Sequence, residues 1–492
     1  MQSPKNAYAA VTTPTGHHPD VAAEPPAPMT AREYMGSRLS TLKPPMASVP
    51  NPIMLLKTLN KSQWLNFGVG FLAWTWDAFD FFTVSMTLSD LAVEFGKSNT
   101  DITWGISVTL MLRSIGSIIF GLAADRYGRK WPFVVNNILF IVLELATGFC
   151  YNFTQFMVVR GLYGVAMGGM WGMAAATALE DAPAEARGLI SGILQQGYAF
   201  GYLLAVVFAR VFVNTTPHGW RPLFWFGACP PVLIIAFRMF LPETQAFQER
   251  KRRREAAHAS SSTFVQEGKA VLQRQWLLLS YLVLLMAGMN FLSHGSQDLY
   301  PTMLKNTLQF TANEVTVTQV IANLGAICGG TTVGYLSQML GRRLSLLMCA
   351  IGGAIVLYPY CFTNSHGITV AAFFMQFCVQ GAWGVIPIHL MELAPPAYST
   401  FIVGTSYQLG NLISSTASTI EASLSEVYPL PPSASGAHRY DYSKVIAALL
   451  AIVLAVLAVL VVIGPEARGQ EFDEKPHSAV QDDDDDVPAK KA

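Results

Sequence analysis

Residues 290–298 carry polar side chains at the end of an apolar run that begins at Trp276. If the segment is helical, successive residues turn by about 100°, and five of its polar residues fall within an arc of roughly 140°. These five residues, the polar stripe, are Asn290, Ser293, His294, Gln297 and Asp298. A charged group in hydrocarbon costs roughly 2.5–3.5 kcal/mol even on a lenient scale, so such a stripe faces a cavity or a protein partner. We therefore predict a helix with one face toward a polar cavity.

Within the polar stripe, His294 and Asp298 are spaced i, i+4, which places their side chains close together. An imidazole beside a carboxylate can take up and release a proton as access to the site changes. The alternative is a structural hydrogen-bonded pair that holds helices together. Because five polar groups share this face, we favour proton exchange.

Three further ionisable residues lie inside apolar segments nearer the N-terminus. Arg113 is a candidate anchor for a small organic anion, because a guanidinium offers a fixed fork of donors that matches a carboxylate. Asp77 and Asp80, at i and i+3, are candidates for proton coupling. The alternative is an ion pair, in which Arg113 binds Asp77, Asp80 or another membrane acid such as Glu144.

Two amides, Gln408 and Asn411, occupy positions i and i+3 of a later apolar segment. Amides both donate and accept hydrogen bonds, so this amide pair suits a hydroxyl or keto group beside a carboxylate. Hydrogen bonding between helices is the alternative, since Asn and Gln commonly bond across membrane bundles.

These residues require a frame of membrane-spanning helices. Hydrophobic residues make up 52% of the 492-residue chain and charged residues 13%, against roughly a quarter charged in soluble domains. Apolar runs of about 20 residues, each long enough to cross a bilayer, recur along the chain. They lie at 64–88, 103–124, 131–150, 154–178, 189–213, 222–241, 276–302, 314–338, 343–363, 368–393, 401–423 and 442–463. We predict an all-α membrane protein with 12 transmembrane helices.

Clusters of basic residues set the orientation of these helices. The clusters at 125–130, 249–254 and 341–343 each follow an even-numbered span. The positive-inside rule places this side and both termini in the cytoplasm. The predicted organisation is a disordered tail at 1–60, a six-helix half at 61–241, a cytoplasmic loop at 242–275, a second half at 276–464 and a cytoplasmic tail at 465–492 with the acidic run 482–486.

Composition and motifs also exclude several classes of function. Lys plus Arg and Asp plus Glu both number 32, so the net charge identifies no nucleic-acid partner. The sequence contains no nucleophile elbow, phosphate-binding loop or cluster of metal ligands. We therefore expect neither an enzyme nor a requirement for a cofactor or metal.

Motif residues of the first half recur in the second half at an offset of 212 or 213 residues. The pairs are Gly121 and Gly334, Gly128 and Gly341, Arg129 and Arg342, Trp171 and Trp383, Glu180 and Glu392, and Gln196 and Gln408. By the same offset, Asp77 corresponds to Asn290 and Asp80 to Ser293. Duplicated halves are typical of proteins that rock around a site at the membrane midplane.

Residues 121–130 resemble the loop motif of the major facilitator superfamily, and residues 160–164 resemble a weaker companion motif. The resemblance covers about residues 60–470 and implies the major facilitator fold, with two pseudo-symmetric six-helix halves. It further implies a gating and packing role for part of the loop; a basic anchor that faces anionic lipid is the alternative. The residues assigned to the gate are Gly121, Asp125, Arg126, Gly128 and Arg129.

The pattern Asn-x-x-Ser-His-x-Ser-Gln-Asp-x-x-x-Thr at 290–302 resembles the hallmark of the fungal Jen-type carboxylate transporters. This resemblance implies a plasma-membrane permease that carries lactate, pyruvate and related short acids together with protons. It assigns substrate binding to the polar stripe, the amide pair and, as the anchor, Arg113. The candidates for proton coupling are His294, Asp298, Asp77 and Asp80. No cofactor is needed, and we expect the monomer to be functional.

Two alternatives remain open at this point. A permease for dicarboxylates such as succinate or malate would need the same residue types. A non-transporting nutrient sensor could use the same fold, although such proteins usually carry long cytoplasmic extensions and the tails here are short.

Overall fold

The computed structural model of the protein describes residues 31–46, 48–97, 99–256, 261–364, 367–432 and 439–470. Its long helices form two successive groups of six. The first group comprises α1 (Lys61–Met86), α2 (Asn99–Tyr127), α3 (Lys130–Gly148), α4 (Phe153–Leu179), α5 (Arg187–Phe212) and α6 (Arg221–Phe240). The second comprises α7 (Trp276–Gln297), α8 (Ala312–Leu340), α9 (Arg342–Phe362), α10 (Gly367–Leu393), α11 (Ser399–Ser414 and Ala417–Ser425) and α12 (Tyr442–Ile463).

Within the described part of the chain, ten helices have the length and the apolar composition to cross a membrane. The other two long elements are α1, which contains Asp77 and Asp80, and α11, which is interrupted between Ser414 and Ala417. Every one of the predicted spans coincides with one of these helices, although α2 begins at Asn99 rather than at 103. The prediction of an all-α membrane protein is therefore confirmed.

Two more long helices are interrupted near their middle. The first piece of α5 ends at Gln195 and the second begins at Gly197, so the break falls at Gln196. In α6 the break falls at Ala228, before a second piece that begins Cys-Pro-Pro. Proline lacks a backbone N–H, so the two prolines cannot donate to the preceding turn of α6.

Shorter elements connect or flank the two halves. They are the helices Ala31–Ser40, Pro52–Thr58, Leu88–Phe95, Gln245–Ala256, Ser261–Arg274 and Tyr300–Thr302, the π-helical turn Met303–Thr307, the 3-10 turn Pro396–Tyr398, and the antiparallel strands β1 (Pro429–Leu430) and β2 (Arg439–Tyr440). The central segment 242–275, predicted as a loop, thus contains two helices.

The tail predicted to be disordered over 1–60 is instead partly helical, in Ala31–Ser40 and Pro52–Thr58. The first of these helices is attached to the end of α12, where Arg38 Nη1 donates a hydrogen bond to the Gly464 carbonyl oxygen at 3.1 Å. The last carbonyls of a helix have no partner within it, so this arginine satisfies a group that α12 leaves open. Residues 1–30 and the acidic run 482–486 lie outside the described residues.

The internal repeat is visible in backbone conformation and in contacts. Gly128 and Gly341, which end α2 and α8, have φ angles of +100° and +98°, a region that glycine adopts readily. Arg129 lies 2.6 Å from Glu180, and its repeat partner Arg342 binds Glu392 through two contacts of 2.9 Å. The two halves therefore fold their loop motifs in the same way.

The halves pack closely at the end of the bundle that carries the loops after α2 and α8, here called the basic-loop end. Gly192 of α5 lies against Gly330 of α8, where a Cβ on Gly192 would stand 2.4 Å from the Gly330 carbonyl oxygen. One turn earlier, a Cβ on Gly188 would stand 2.6 Å from the carbonyl oxygen of Gly334. Only glycine permits this approach of two helix backbones.

We predict that Gly192→Ala destabilises the protein whereas Gly68→Ala in α1 does not. A Cβ at Gly192 clashes with backbone and costs about 1–3 kcal/mol, while a Cβ at Gly68 meets nothing within 4 Å. Both substitutions gain the same helix propensity, so thermal unfolding of the purified variants isolates the clash. Equal Tm values for the two variants would show that α5 and α8 do not pack this closely.

Candidate functional site

The polar stripe lies on α7, which begins at the basic-loop end and runs toward the opposite end of the bundle. Exposure increases along it: Asn290 is 4% exposed, the His294 side chain 21% and the Asp298 side chain 34%. The stripe is therefore accessible from the end opposite the basic loops and closes toward its middle.

His294 connects α7 to α11. Its Nδ1 lies 3.1 Å from Asp298 Oδ2, and its Nε2 lies 3.3 Å from Asn411 Oδ1. The Ser418 hydroxyl donates to the same Asp298 oxygen at 2.8 Å. Both ring nitrogens face oxygen acceptors, an arrangement that an imidazolium satisfies completely. The structure thus brings His294 and Asp298 together, as their spacing predicted, and adds Asn411, which no spacing linked to them.

The other polar residues of α7 are engaged by protein groups. Trp383 Nε1 donates to Ser293 Oγ at 2.5 Å, and Gln297 Nε2 donates to Gln376 Oε1 at 2.8 Å. Asn290 Nδ2 donates to the Met286 carbonyl oxygen of its own helix at 2.9 Å. The bonds with Trp383 and Gln376 hold α7 against α10. The His294 end of the stripe remains more exposed than the Asn290 end.

Arg113 of α2 forms an ion pair with Asp77 of α1, with 2.6 Å between Nη2 and Oδ2. Both side chains are almost fully buried, and the tyrosines Tyr198 and Tyr407 lie close enough to interact electrostatically with the guanidinium. The Arg113 Nε and the second oxygen of Asp77 have no hydrogen-bond partner within the described structure. The interaction therefore neutralises each charge but leaves polar atoms of both residues available.

Asp80 lies in a different cluster from Arg113. The Tyr163 hydroxyl donates to Asp80 Oδ2 at 2.6 Å, and Glu144 lies 3.3 Å from Arg160. Of the three acids predicted as possible partners of Arg113, Asp77 is thus the one that forms the ion pair. Asp80, Glu144, Arg160 and Tyr163 form a buried polar cluster between α1, α3 and α4.

Five aromatic side chains meet between the halves, beside Arg113. They are Trp74, Trp171, Tyr198, Trp383 and Tyr407. Trp171 stacks on Tyr407 with 4.5 Å between ring centroids. We call this group the aromatic wall. Its members come from five helices, so no spacing in the sequence indicates that they converge, although Trp171 and Trp383 stand out as repeat partners.

The amide pair lies on α11, facing both α2 and α7. Gln408 is fully buried, and neither its amide oxygen nor its amide nitrogen has a hydrogen-bond partner among the described residues. The Ser114 hydroxyl donates to the Gln408 backbone oxygen at 3.2 Å, so Gln408 contacts the residue that follows Arg113 in α2. A buried amide without partners is costly, so Gln408 is suited to bind a polar ligand.

Residues of the predicted gate at the end of α2 connect the two halves at the basic-loop end, an arrangement here called the lock. Asp125 accepts hydrogen bonds from the backbone nitrogens of Thr400 (3.1 Å) and Phe401 (2.8 Å), at the start of α11. A Cβ on Gly121 would stand 2.6 Å from the Phe401 Cα, so glycine permits the approach. Arg126 lies over the Phe264 ring, 5.5 Å from its centroid.

Arg129 forms ion pairs with the acidic residues of this lock. It contacts Asp125 at 3.1 Å and Glu180 at 2.6 Å, and Arg250 adds a second cation 2.8 Å from Glu180. Burial opposes ionisation of Glu180, but the two guanidinium groups overcome this effect and lower its pKa to about 2. Glu180 is therefore charged throughout the physiological pH range.

Comparisons with known proteins agree with this architecture. The model of the sugar (and other) transporter family matches residues 62–477. A carboxylic acid transporter protein homolog from Saccharomyces cerevisiae is 41% identical over 432 residues, covering 85% of this chain and 70% of the relative. A cis,cis-muconate transport protein from Acinetobacter baylyi is 28% identical, over 70% of this chain and 83% of the relative.

Solved structures share the fold at low sequence identity. The major facilitator proton:xylose symporter XylE aligns with a TM-score of 0.67 and 16% identity, over 84% of this chain and 98% of that chain. A human organic anion transporter, MFSD10, aligns with a TM-score of 0.63 and 14% identity, over 81% of this chain and all of that chain.

We predict that Asp125→Ala opens the basic-loop end. Two hydrogen bonds from backbone N–H groups to a charged oxygen are lost, each worth about 1.5–3 kcal/mol, so the open fraction rises at least about tenfold. The reporter is Ser191→Cys, because Ser191 is fully buried and donates to the Gly384 oxygen across the halves at 2.8 Å. Its alkylation rate is compared with that of the parent without this substitution.

Asp181→Ala is the matched control for Asp125→Ala. Asp181 also accepts two backbone N–H hydrogen bonds, from Gln245 (2.9 Å) and Ala246 (3.1 Å), but these donors belong to the central segment and not to the second half. Its removal leaves the alkylation rate near that of the parent. Equal acceleration in the two variants would mean that Asp125 does not hold the halves together.

The lock is expected to be insensitive to pH between 5.5 and 8. A carboxyl whose pKa falls from 4.5 to about 2 on folding stabilises the folded protein fully above pH 4.5, and this stabilisation is lost only as the pH falls toward 2, so Glu180 keeps its charge and its pairing over the range tested. Alkylation of the Ser191→Cys reporter, normalised to the unfolded protein at each pH, should therefore stay constant over this range. A steep rise between pH 7 and 5.5 would assign pH sensitivity to the lock.

Proposed function

Because the chain belongs to the sugar (and other) transporter family, we propose that it is a Jen-type proton symporter of short monocarboxylates such as lactate and pyruvate. The family consists of secondary transporters of the major facilitator superfamily, which are not enzymes. The carboxylate class is supported by the 41% identity with a relative named as a carboxylic acid transporter protein homolog and by the muconate transport protein among the matches. The observation that carries the proposal is the buried ion pair between Arg113 and Asp77.

The ion pair provides a physical link between proton binding and anion binding. Protonation of Asp77 removes its negative charge and leaves Arg113 as an uncompensated buried cation, which is strongly unfavourable. A substrate carboxylate then takes the place of Asp77 and restores the pairing through the guanidinium fork. The acid and the proton enter as a neutral combination, so neither binds well without the other.

Other groups of the site would complete recognition of a short hydroxy or keto acid. Gln408, whose amide has no partner among the described residues, contacts the residue that follows Arg113, and we propose that it binds the hydroxyl or keto oxygen. The aromatic wall excludes water and limits the size of the acid. Asn411, His294 and Asp298 form the next layer outward, where we propose that protons and anions enter. Asn290, Ser293 and Gln297 support this layer through their bonds to Met286, Trp383 and Gln376.

A monocarboxylate fits these charges better than a dicarboxylate. The proposed substrate-binding residues include one guanidinium, Arg113. A second substrate carboxylate would have to compete with Asp298 for His294. The sensor alternative is not favoured either, because the relatives described above are transporters.

We further propose that the basic-loop end faces the cytoplasm and that the protein is a plasma-membrane monomer with both termini inside. The positive-inside rule supports this orientation. With it, the locked basic-loop end and the outward increase in exposure along the polar stripe describe an outward-facing state. Gly121, Asp125, Arg126, Gly128 and Arg129 then act as the cytoplasmic gate.

Purified protein in liposomes is expected to accumulate labelled lactate when the outside is made acidic. Uptake should collapse when a protonophore removes the gradient, because the proton supplies the driving force. Pyruvate should compete strongly and succinate weakly, since one guanidinium is available to the acid. Uptake that ignores the pH gradient would contradict proton symport, and competition by succinate equal to that of pyruvate would contradict monocarboxylate selectivity.

The double variant His294→Ala with Asp298→Asn tests the outer layer in the same assay. If these groups exchange protons, the variant retains lactate exchange without a pH gradient but loses gradient-driven accumulation. Unchanged proton coupling would remove both residues from the proton pathway.

A further inference from the structure

Glu421 is a buried acid in the second piece of α11 that sequence reasoning did not single out. Its side chain is fully buried, with 0% exposure. Neither carboxylate oxygen has a hydrogen-bond partner among the described residues. An ionised carboxylate without a cation or a donor is strongly disfavoured in an apolar interior, whereas a protonated one is tolerated. The geometry therefore requires the neutral acid in this state of the protein.

The surroundings of Glu421 contain acids and hydrocarbon. On α7, its Oε1 lies 3.4 Å from the position of a Cβ on Gly295, and α12 places Leu449 and Leu450 at 3.2 and 3.3 Å from the same point. The titratable groups that interact electrostatically with Glu421 are Asp298 on α7 and Tyr360 and Cys361 on α9.

Glu421 is connected to the polar stripe through its own helix. Ser418, one turn before Glu421 on α11, donates a hydrogen bond to Asp298 Oδ2 at 2.8 Å. The Asp298 side chain is 34% exposed, whereas Glu421 is fully buried. Ser418 thus connects the end of α7, with its partly exposed carboxyl group, to the helix that carries the buried one.

We propose that Glu421 is a second proton-binding residue of the C-terminal half, loaded in the outward-facing state and coupled to the charge of Asp298. The proposal rests on the proton symport proposed above. Two neighbouring carboxyl groups do not ionise independently, so an ionised Asp298 keeps the proton on Glu421. When α7 and α11 separate during the cycle, water reaches the acid and the water oxygen accepts the proton as the O–H bond of Glu421 breaks. No other bond changes.

The first test is spectroscopic and does not depend on transport. Infrared difference spectra of the purified protein, recorded at neutral pH in H2O and D2O, should show the carbonyl band of a protonated carboxylic acid. Glu421→Gln, which keeps the shape of the neutral acid, should remove that band. Glu426→Gln, at an exposed position just after the same helix, should leave it in place. Persistence of the band in Glu421→Gln would overturn the proposal.

The second test measures coupling in liposomes. Glu421→Gln should retain lactate exchange at equal pH on both sides, because exchange needs no net proton release. It should lose most accumulation driven by an acidic exterior, while Glu426→Gln behaves like the parent. Parental accumulation by Glu421→Gln would overturn the coupling role.

The two proposals can fail separately. Failure of the parent protein to accumulate lactate under a proton gradient would remove the proposed function. The infrared band would still decide whether Glu421 binds a proton, since that measurement uses no substrate.

Discussion

The ion pair between Arg113 and Asp77 is the interaction on which the proposed site depends. Both groups are almost fully buried, where either charge alone would be strongly unfavourable. The pair also places a buried cation close to Tyr198 and Tyr407 of the aromatic wall. A site built in this way is neutral when empty, and it can remain neutral when a proton and a carboxylate enter together.

The cost of a buried charge without a partner also explains the ion pairs of the lock at the basic-loop end. There the motif of each half forms hydrogen bonds with the other half. Asp125 binds the start of α11, and in the second half Gln338 Nε2 donates to the Ala184 carbonyl oxygen at 2.8 Å. The buried arginines of these motifs are each paired with a glutamate, Arg129 with Glu180 and Arg342 with Glu392. The charges of the lock are thus fixed in pairs, whereas we propose that Asp77 exchanges its charge with that of a substrate carboxylate.

Much of this organisation can be predicted from the sequence, because it depends on local periodicity. Apolar runs predict the helices, the offset of 212 or 213 residues predicts the two halves, and the i, i+4 spacing predicts the contact between His294 and Asp298. The partner of Arg113 cannot be predicted in this way, since Asp77, Asp80 and Glu144 are chemically equivalent and only packing distinguishes them.

Other features escape sequence reasoning for related reasons. The aromatic wall draws one residue from each of five helices, so its members share no spacing. Glu421 looks like an ordinary acid near the end of a polar helix until packing shows that α7, α9 and α12 enclose it. The helix Ala31–Ser40 is attached to the end of α12 through Arg38, a long-range contact that composition cannot indicate.

The central claim is that Asp77 takes up a proton when Arg113 binds the acid. Calorimetric titration of the purified protein with lactate, in buffers of different protonation enthalpy, measures the number of protons bound with each acid. The account predicts about one proton per lactate for the parent protein and none for Asp77→Asn, in which the amide cannot be protonated. Proton uptake that is absent in the parent, or unchanged in Asp77→Asn, would contradict it.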